Sequence, residues 1–453
     1  MANDWINVQL QDVVSKLGDG LHGTPKYSEN GEYYFINGNN LENGQIIFKE
    51  KTKRVDHTQY LKYKKELYER TLLVSINGTI GNVAYYNGEK VILGKSACYF
   101  NLKDDIDKGY VRYVLSGHYF QSYLNAFATG TTIQNVSLKS MREFSFPLPP
   151  IEEQKAIAHI LGSLDDKIEL NRRMNETLEA MAQALFKSWF VDFAPVIDNA
   201  LAAGNAIPDE FIERAEQRKG IEKKNNSDIQ SLFPNEFEFT EEMGWIPKGW
   251  RTSTLDDLTT ELRRGISPKY TEVDGVRVVN QRCIRNHSID YSICRLNDAN
   301  VRKVEGRYLE VGDVLVNSTG VGTLGRMAQV FYLDEPAVVD SHVTVVRPNT
   351  GLIKPHTFGR LMLSIEPLVE SMGLGSTGQT ELSRVHLGEL VVCIPPIDLQ
   401  KFVEKSFLSY SDKSAFNIQQ NITLSKLRDT LLPKLMSGEL RITDAAALVD
   451  EVV

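Results

Sequence analysis

The sequence predicts an α+β protein built twice. Two globular parts, each a twisted sheet with helices, are each followed by one long helix, and the two helices pair as a coiled coil. Three observations lead there. Residues 151–190 carry an apolar seam at alternating steps of four and three. The same seam returns 246 residues later with its polar interruptions in register. The short β-type segments ahead of the first helix recur, in order, ahead of the second, which is the mark of an internal repeat.

The first seam is Ile157, Leu161, Leu164, Ile168, Asn171, Asn175, Leu178, Ala182, Leu185 and Trp189. It is an a/d heptad pattern over more than four repeats, with few β-branched residues and no internal proline. Pro149-Pro150 mark where the helix begins, and Glu152 and Glu153 complement the positive end of its dipole. A helix with such a stripe needs a partner to bury it. The second copy supplies one: Val403, Phe407, Tyr410, Ser414, Asn417, Asn421, Leu424, Arg428, Leu431 and Leu435. NRRMNETL at 171–178 becomes NIQQNITL at 417–424. Asparagines inside a seam weaken it but fix register and partner. Matching pairs in both copies therefore predict helices that meet each other, asparagine layer against asparagine layer, and not two unrelated amphipathic helices. Arg428 stands in the slot held by Ala182, so that end of the seam is expected to be solvated.

With 453 residues, the chain exceeds one hydrophobic core. Its 42% hydrophobic and 24% charged residues are those of an ordinary globular protein. The start, MANDWINVQLQDV, has no secretory pattern, and no apolar run approaches membrane-spanning length, so a cytoplasmic, membrane-free location is expected. Cys98, Cys283, Cys294 and Cys393 lack close pairing and zinc-finger spacing and read as separate reduced thiols. The net charge of −8 seems to exclude nucleic acid, yet its distribution does not. Residues 1–150 are net +2 and 246–396 are neutral, while 191–245 carry −7.

In chain order, residues 1–150 form the first globular part, 151–190 the first spacer helix and 191–245 an acidic connector. Residues 246–396 form the second globular part, 397–437 the second helix and 438–453 a tail. The repeat runs through the globular parts: Pro25-Lys26-Tyr27 recurs as Pro268-Lys269-Tyr270, and LVSINGTIG at 73–81 as LVNSTGVGTLG at 315–325. Short strands are expected at Tyr33–Ile36, Leu72–Ile76, Val83–Tyr86, Val276–Val279 and Val338–Val346. Helical patches are expected near 109–127 and 356–372. The connector, interrupted by Pro208 and Pro234, reads as a linker with a short helix near 208–220 and a flexible stretch at 220–230. The tail reads as frayed apart from a helical turn near 444–450.

No catalytic constellation emerges. Gly320, Gly322 and Gly325 spell G-x-G-x-x-G, but RMAQVFYL after them reads as a strand where a dinucleotide site needs a helix. Gly94-Lys95-Ser96 misses the phosphate-loop spacing, Glu153-Gln154-Lys155 lacks a placed upstream aspartate, and no metal-ligand cluster occurs. No Asn/Asp-Pro-Pro-aromatic motif is present. The chain is expected to catalyse nothing alone and to hold no metal or cofactor.

What remains fits nucleic-acid recognition. Lys49, Lys51, Lys53, Arg54, Lys62, Lys64 and Lys65 outweigh Glu50 and Asp56 by +5 within 17 residues, with Tyr60 and Tyr63 interleaved. The second copy places Arg277, Arg282, Arg285, Arg295, Arg302, Lys303 and Arg307 at the equivalent stretch. Such clusters beside polar loops suit phosphate anchoring with base-edge reading. Candidate readers are Asn37, Asn39, Asn40, Asn77, Thr79, Thr131 and Gln134 in the first part. In the second they are Arg263, Arg264, Asn280, Gln281, Arg282, Ser318, Thr319, Gln379 and Thr380. The Pro-Lys-Tyr repeats add Lys26, Tyr27, Lys269 and Tyr270. Any one of these, taken singly, is also compatible with a solvated loop.

The starts PLPPIEEQKAI and CIPPIDLQKFV, the N-x3-N-x-T-L signature, the return segment FPNEFEFTEEMGWIPKGW and the ending LLPKLMSGELRI resemble the specificity subunits of type I restriction-modification systems. The resemblance covers almost the whole chain. It implies two target recognition domains, each reading half of a split site in double-stranded DNA. It also implies long helices packed antiparallel as a spacer and as the dock for two modification subunits. Lys155, Asp165, Asp166, Lys167 and Arg172 would meet those partners. S-adenosylmethionine, ATP and Mg would be bound by modification and restriction/translocase subunits, in a bacterial or archaeal cytoplasm. Forty helical residues span ~60 Å at most, enough to hold two readers about one DNA turn, ~34 Å, apart. Two other readings stay open: a self-sufficient DNA methyltransferase or nuclease, and a DNA-independent coiled-coil adaptor.

Overall fold

The computed structural model describes residues 5–42, 44–130, 134–220, 227–373 and 381–452. The chain divides into two units, Met1–Asn171 with Gln420–Val453 and Arg172–Gln419. The expected α+β duplication is found, and each unit repeats one plan.

In the first unit the central strand Thr71–Ser75 sits in a four-stranded antiparallel sheet with Val14–Asp19, Ala97–Leu102 and Val83–Tyr85. The strand is buried on both faces: Leu72, Leu73 and Val74 are apolar, the Thr71 hydroxyl donates to Asn101 and the Ser75 hydroxyl accepts from the Asn82 amide. Side chains alternate along it. Leu72 and Val74 face a core built with helices Lys108–Ser116 and His118–Phe127, whereas Leu73 faces a second layer. That layer includes a mixed sheet of Arg54–Val55, Tyr33–Ile36 and Val91–Leu93, the last pair parallel. Strands Ile6–Gln9 and Ser145–Leu148 join the two ends of the globular part.

The second unit repeats this. Thr259–Arg264, Val343–Pro348, Val314–Asn317 and Met327–Gln329 form the antiparallel sheet. Tyr270–Thr271, Arg295–Asn297, Val276–Val279 and Ala337–Val339 form the mixed one, and Arg251–Thr254 with Val391–Ile394 close it. The single strand expected over 338–346 is two strands, because the chain turns at Asp340, whose carboxylate accepts from the His342 amide. Gly320, Gly322 and Gly325 all adopt positive φ in a loop between strands. A Cβ on Gly325 would lie 2.5 Å from Glu370, so this glycine is there for close approach.

The helix starts explain the repeated Pro-Pro-Ile-x-x-Gln. Gln154 is buried; its amide donates to the Pro149 carbonyl at 2.8 Å and its oxygen accepts from the Asp107 amide at 2.9 Å. Gln400 repeats this with the Pro395 carbonyl at 2.8 Å and the Lys354 amide at 3.0 Å. One glutamine thus ties each long helix to the helix beginning nearby in its globular part. The long helices span Ile151–Phe186 and Ile397–Met436, the first ending in a π-turn at Lys187–Val191.

Both helices contribute to both units. In the first, Leu161, Leu164, Leu424 and Leu431 are buried in the main core with Ile168 packed against it. Asn171 donates to Asn421 Oδ1 and Gln420 Oε1, each at 2.8 Å, and Asn421 donates to the Ile168 carbonyl at 3.2 Å. In the second, Asn417 donates to Asn175 Oδ1 at 2.8 Å, and the Phe186 and Phe407 rings approach. Within each unit, contact partners rise on one helix as they fall on the other, so the pairing is antiparallel. Leu178 is half-buried.

Three expectations are corrected. Arg428 is not a solvated end: it binds Asp165 at 2.7 Å, which also accepts from Arg112 at 2.5 Å and Tyr113 at 2.8 Å. The described connector is not a loose linker, because Phe193, Val196, Ile197, Phe211, Ala215 and Phe233 are buried with Trp250 in the second unit's core. Its hairpin Phe237–Thr240 with Gly244–Pro247 follows; residues 221–226, within the expected flexible stretch, lie outside the described residues. The tail forms helix Ile442–Asp450, which buries Ala445 and Val449 in the first unit's core.

Candidate nucleic-acid interface

In the first unit the basic cluster is laid over aromatic rings. Tyr33-Tyr34-Phe35 alternate along one strand, so the Tyr34 ring emerges on the face opposite its neighbours. Arg54, paired across the ladder, lies 4.6 Å over that ring and donates to the Tyr34 hydroxyl at 2.6 Å. Phe48 stacks on Tyr34 at 4.2 Å and is exposed. Lys53 sits 6.0 Å over the exposed Tyr27 ring, and Lys62 lies 5.1 Å over Tyr63. Guanidinium or ammonium over a ring keeps its charge outward and loses little rotamer freedom on binding a phosphate.

The remaining first-unit candidates divide. Lys26, Asn39, Lys49, Lys51, Thr79 and Gln134 are exposed. Lys49 donates to the Asn39 carbonyl at 2.7 Å and also meets Glu42. Asn77 donates to Asn135 at 3.1 Å, and Gly78 N–H donates to the Gln134 carbonyl, so those two loops come together. Asn37 is half-buried and accepts from the Ser96 hydroxyl at 3.0 Å. Asn40 is corrected: it is 5% exposed, donates to the Ile47 carbonyl at 2.9 Å and accepts from the Asn37 amide at 3.0 Å. It shapes the loop and cannot reach a base. Thr131 lies outside the described residues.

In the second unit Arg295 lies 3.4 Å over the ring of Tyr270, the repeat partner of Tyr27, and Tyr270 is exposed beside exposed Lys269. Arg282 and Arg285 are exposed around the hairpin Ile284–Arg285 with Ser288–Ile289. Other candidates are turned inward. Ser318 is fully buried and shares a 2.6 Å hydrogen bond with Thr344. Arg264 donates to the Ser341 and Leu382 carbonyls and to Glu381, bracing a loop. Arg263 pairs with Glu261 at 2.6 Å. Ser318, Arg263 and Arg264 are therefore corrected from readers to supports. Arg277 is committed to Asp334 and Glu335, and its hydrogen bond holds the Asp334 carboxyl below the usual carboxylate range. Gln281 donates to the Thr319 carbonyl at 2.6 Å, Thr319 meets His342 at 2.9 Å, and Asn280 accepts from the Arg282 amide at 2.9 Å. Gln379 and Thr380 lie outside the described residues.

The aromatic members Tyr34 and Phe48 carry no basic or amide signal and were missed in the sequence; the run Tyr33-Tyr34-Phe35 beside the lysines was the available clue. On the helices, Lys155, Asp166 and Arg172 are exposed. Asp165 is corrected as a partner-facing residue, since it is engaged by Arg112, Tyr113 and Arg428. Burial alone would raise its carboxyl, yet Arg112 and the hydrogen bonds from Arg428, Arg112 and Tyr113 hold it below the usual range. Among the described residues no group of three or more His, Cys, Asp or Glu side chains could hold a metal ion, and no helix is long and apolar enough to cross a membrane.

Residues 2–180 match the family profile described as type I restriction modification DNA specificity domain. The MjaIX specificity subunit of Methanocaldococcus jannaschii is 25% identical over 463 residues, covering 98% of this chain and 95% of that one. The HindI specificity subunit of Haemophilus influenzae is 26% identical over 335 residues, covering 68% of this chain and 72% of its own length. In structure, the chain is similar to a type I restriction-modification S subunit from M. genitalium, with a TM-score of 0.52, 18% identity and 96% of each chain covered. That likeness is one of fold.

Proposed function

We propose that the chain is a specificity subunit of a type I restriction-modification system, and that it reads a two-part site in double-stranded DNA, one half per unit. It is the specificity component and not the catalytic one. The observation that carries the reading is the pair of exposed cation-over-tyrosine contacts at equivalent repeat positions, Lys53 over Tyr27 and Arg295 over Tyr270. The frame beneath them is the same, while the surrounding charged and polar side chains differ. Phosphate anchors on a shared frame give both units affinity; unlike loops give each its own bases.

The antiparallel helices offer exposed Lys155, Asp166 and Arg172 for docking two modification subunits, with restriction/translocase subunits added to that complex. S-adenosylmethionine, ATP and Mg belong to those partners, in a bacterial or archaeal cytoplasm. Adenine methylation mapped by long-read sequencing, in a host expressing the chain with its modification subunits, tests the reading. A motif in two defined parts around an unspecified gap is expected. Duplex binding with no sequence preference, or methylation by the purified chain alone, would refute it.

A further inference from the structure

Two of the four cysteines, separate in the sequence, are brought together by the second unit. Cys283 Sγ and Cys294 Sγ lie 3.5 Å apart, with the Cys294 S–H directed at Cys283. Cys283 is the buried last residue of the turn Gln281–Cys283, and Cys294 follows the turn Tyr291–Ile293 and is partly exposed. Between them runs the hairpin that carries Arg285, its turn made by Asn286 and His287 at φ of 49° and 57°. Non-glycine residues in that region are strained, and they persist only where the surroundings hold them. The S–H donation from Cys294 holds the Cys283 thiol below its ordinary range. The other two thiols differ: burial raises Cys98, and it pushes Cys393 up to about 12.

We propose that Cys283 and Cys294 are a redox-modification site at which a peroxide closes a disulfide, clamping the Ile284–Ile289 hairpin on the second unit's candidate DNA face. The chemistry balances. One thiol displaces water from hydrogen peroxide as the O–O bond breaks, becoming a sulfenic acid. The second sulfur then displaces the sulfenic hydroxyl, the S–S bond forms and a second water leaves. The two sulfurs give up two electrons and the peroxide takes them. Closure asks the sulfurs to move from 3.5 Å to a bond length of about 2.05 Å. Excess dithiothreitol reopens it by exchange, as expected of the transient disulfides of reducing compartments.

The bond's formation does not depend on what the surface binds; its consequence rests on the DNA reading proposed above. The full chain, with its modification subunits, is exposed to hydrogen peroxide, quenched with N-ethylmaleimide and digested with trypsin without reductant. Cleavage after Arg282, Arg285 and Arg295 releases residues 283–285 and 286–295. The two peptides are expected joined in the oxidised wild type, separate after dithiothreitol, and never joined in C294S. Recovery of both cysteines as N-ethylmaleimide adducts, or as sulfinic acid without a joined pair, would overturn the site. Affinity for the cognate duplex is expected to change severalfold on oxidation in wild type and not in C294S. A joined pair with unchanged affinity would overturn the clamp, whereas no sequence-specific binding before oxidation would instead defeat the DNA reading.

Discussion

Asn40 and Lys51 are both candidate DNA-facing residues of the first unit, and the structure gives them opposite parts. Lys51 is exposed and free to neutralise a phosphate, so Lys51→Ala is expected to weaken duplex binding equally for all sequences. The slope of log affinity against log salt should shrink by about 1, a change that a salt titration reads directly. Asn40→Ala should leave that slope unchanged but destabilise the chain by ~1–3 kcal/mol in urea unfolding, because it strips partners from the buried loop backbone. Nothing local in Asn-Gly-Asn-Asn marks Asn40 as the buried member, since the carbonyl that occupies it comes from Ile47. His287 adds a pH-dependent contact. Its ion-pair contact with the Glu366 carboxylate, at 2.7 Å, raises the imidazole above its ordinary 6.5. A raised folded value means the contribution is complete below 6.5 and is lost as pH rises through the folded value. His287→Gln is therefore expected to lower urea stability on the acid side, where the contribution is complete, and to leave stability above the folded value unchanged, so the fall with rising pH disappears; an unchanged profile would contradict the assignment.

At the scale of elements, the helices were legible because an a/d seam advertises itself in any order of reading. Their contacts were less so. The repeat matches Asn171 with Asn417, but antiparallel packing bonds Asn171 to Asn421 and Asn175 to Asn417. Equivalence in sequence and adjacency in space are different relations here. Asn171→Ala should cost ~1–3 kcal/mol by leaving Asn421 and Gln420 short of a donor, measured as a lower urea midpoint. Asp165, shared by Arg112 and Arg428, titrates in the opposite sense to His287. Its lowered folded value means the contribution is complete above the ordinary 3.8 and is lost as pH falls through the folded value. Asp165→Asn should erase that acid-side loss in a pH series of unfolding curves. The connector was illegible for a different reason. Phe193, Phe211 and Phe233 follow no helical or strand period and sit among acidic residues, so composition announced a linker where packing makes a core.

At the scale of the whole molecule, the duplication was readable throughout, because order-preserving repeats survive wherever a shared frame must be kept. The reading surface was only half readable: the charge cluster stood out, whereas the inward commitments of Ser318, Arg264 and Arg277 depend on partners far along the chain. Both long helices contribute residues to both units, and we propose that their length sets the gap in a two-part site. A matched seven-residue insertion in each helix adds about 10 Å of rise, or about three base pairs at 3.4 Å each. The most direct test is the methylation motif of a host expressing that variant with its modification subunits. The same bases in both halves and a gap wider by about that amount are expected. Altered half-site bases, or an unchanged gap, would contradict it.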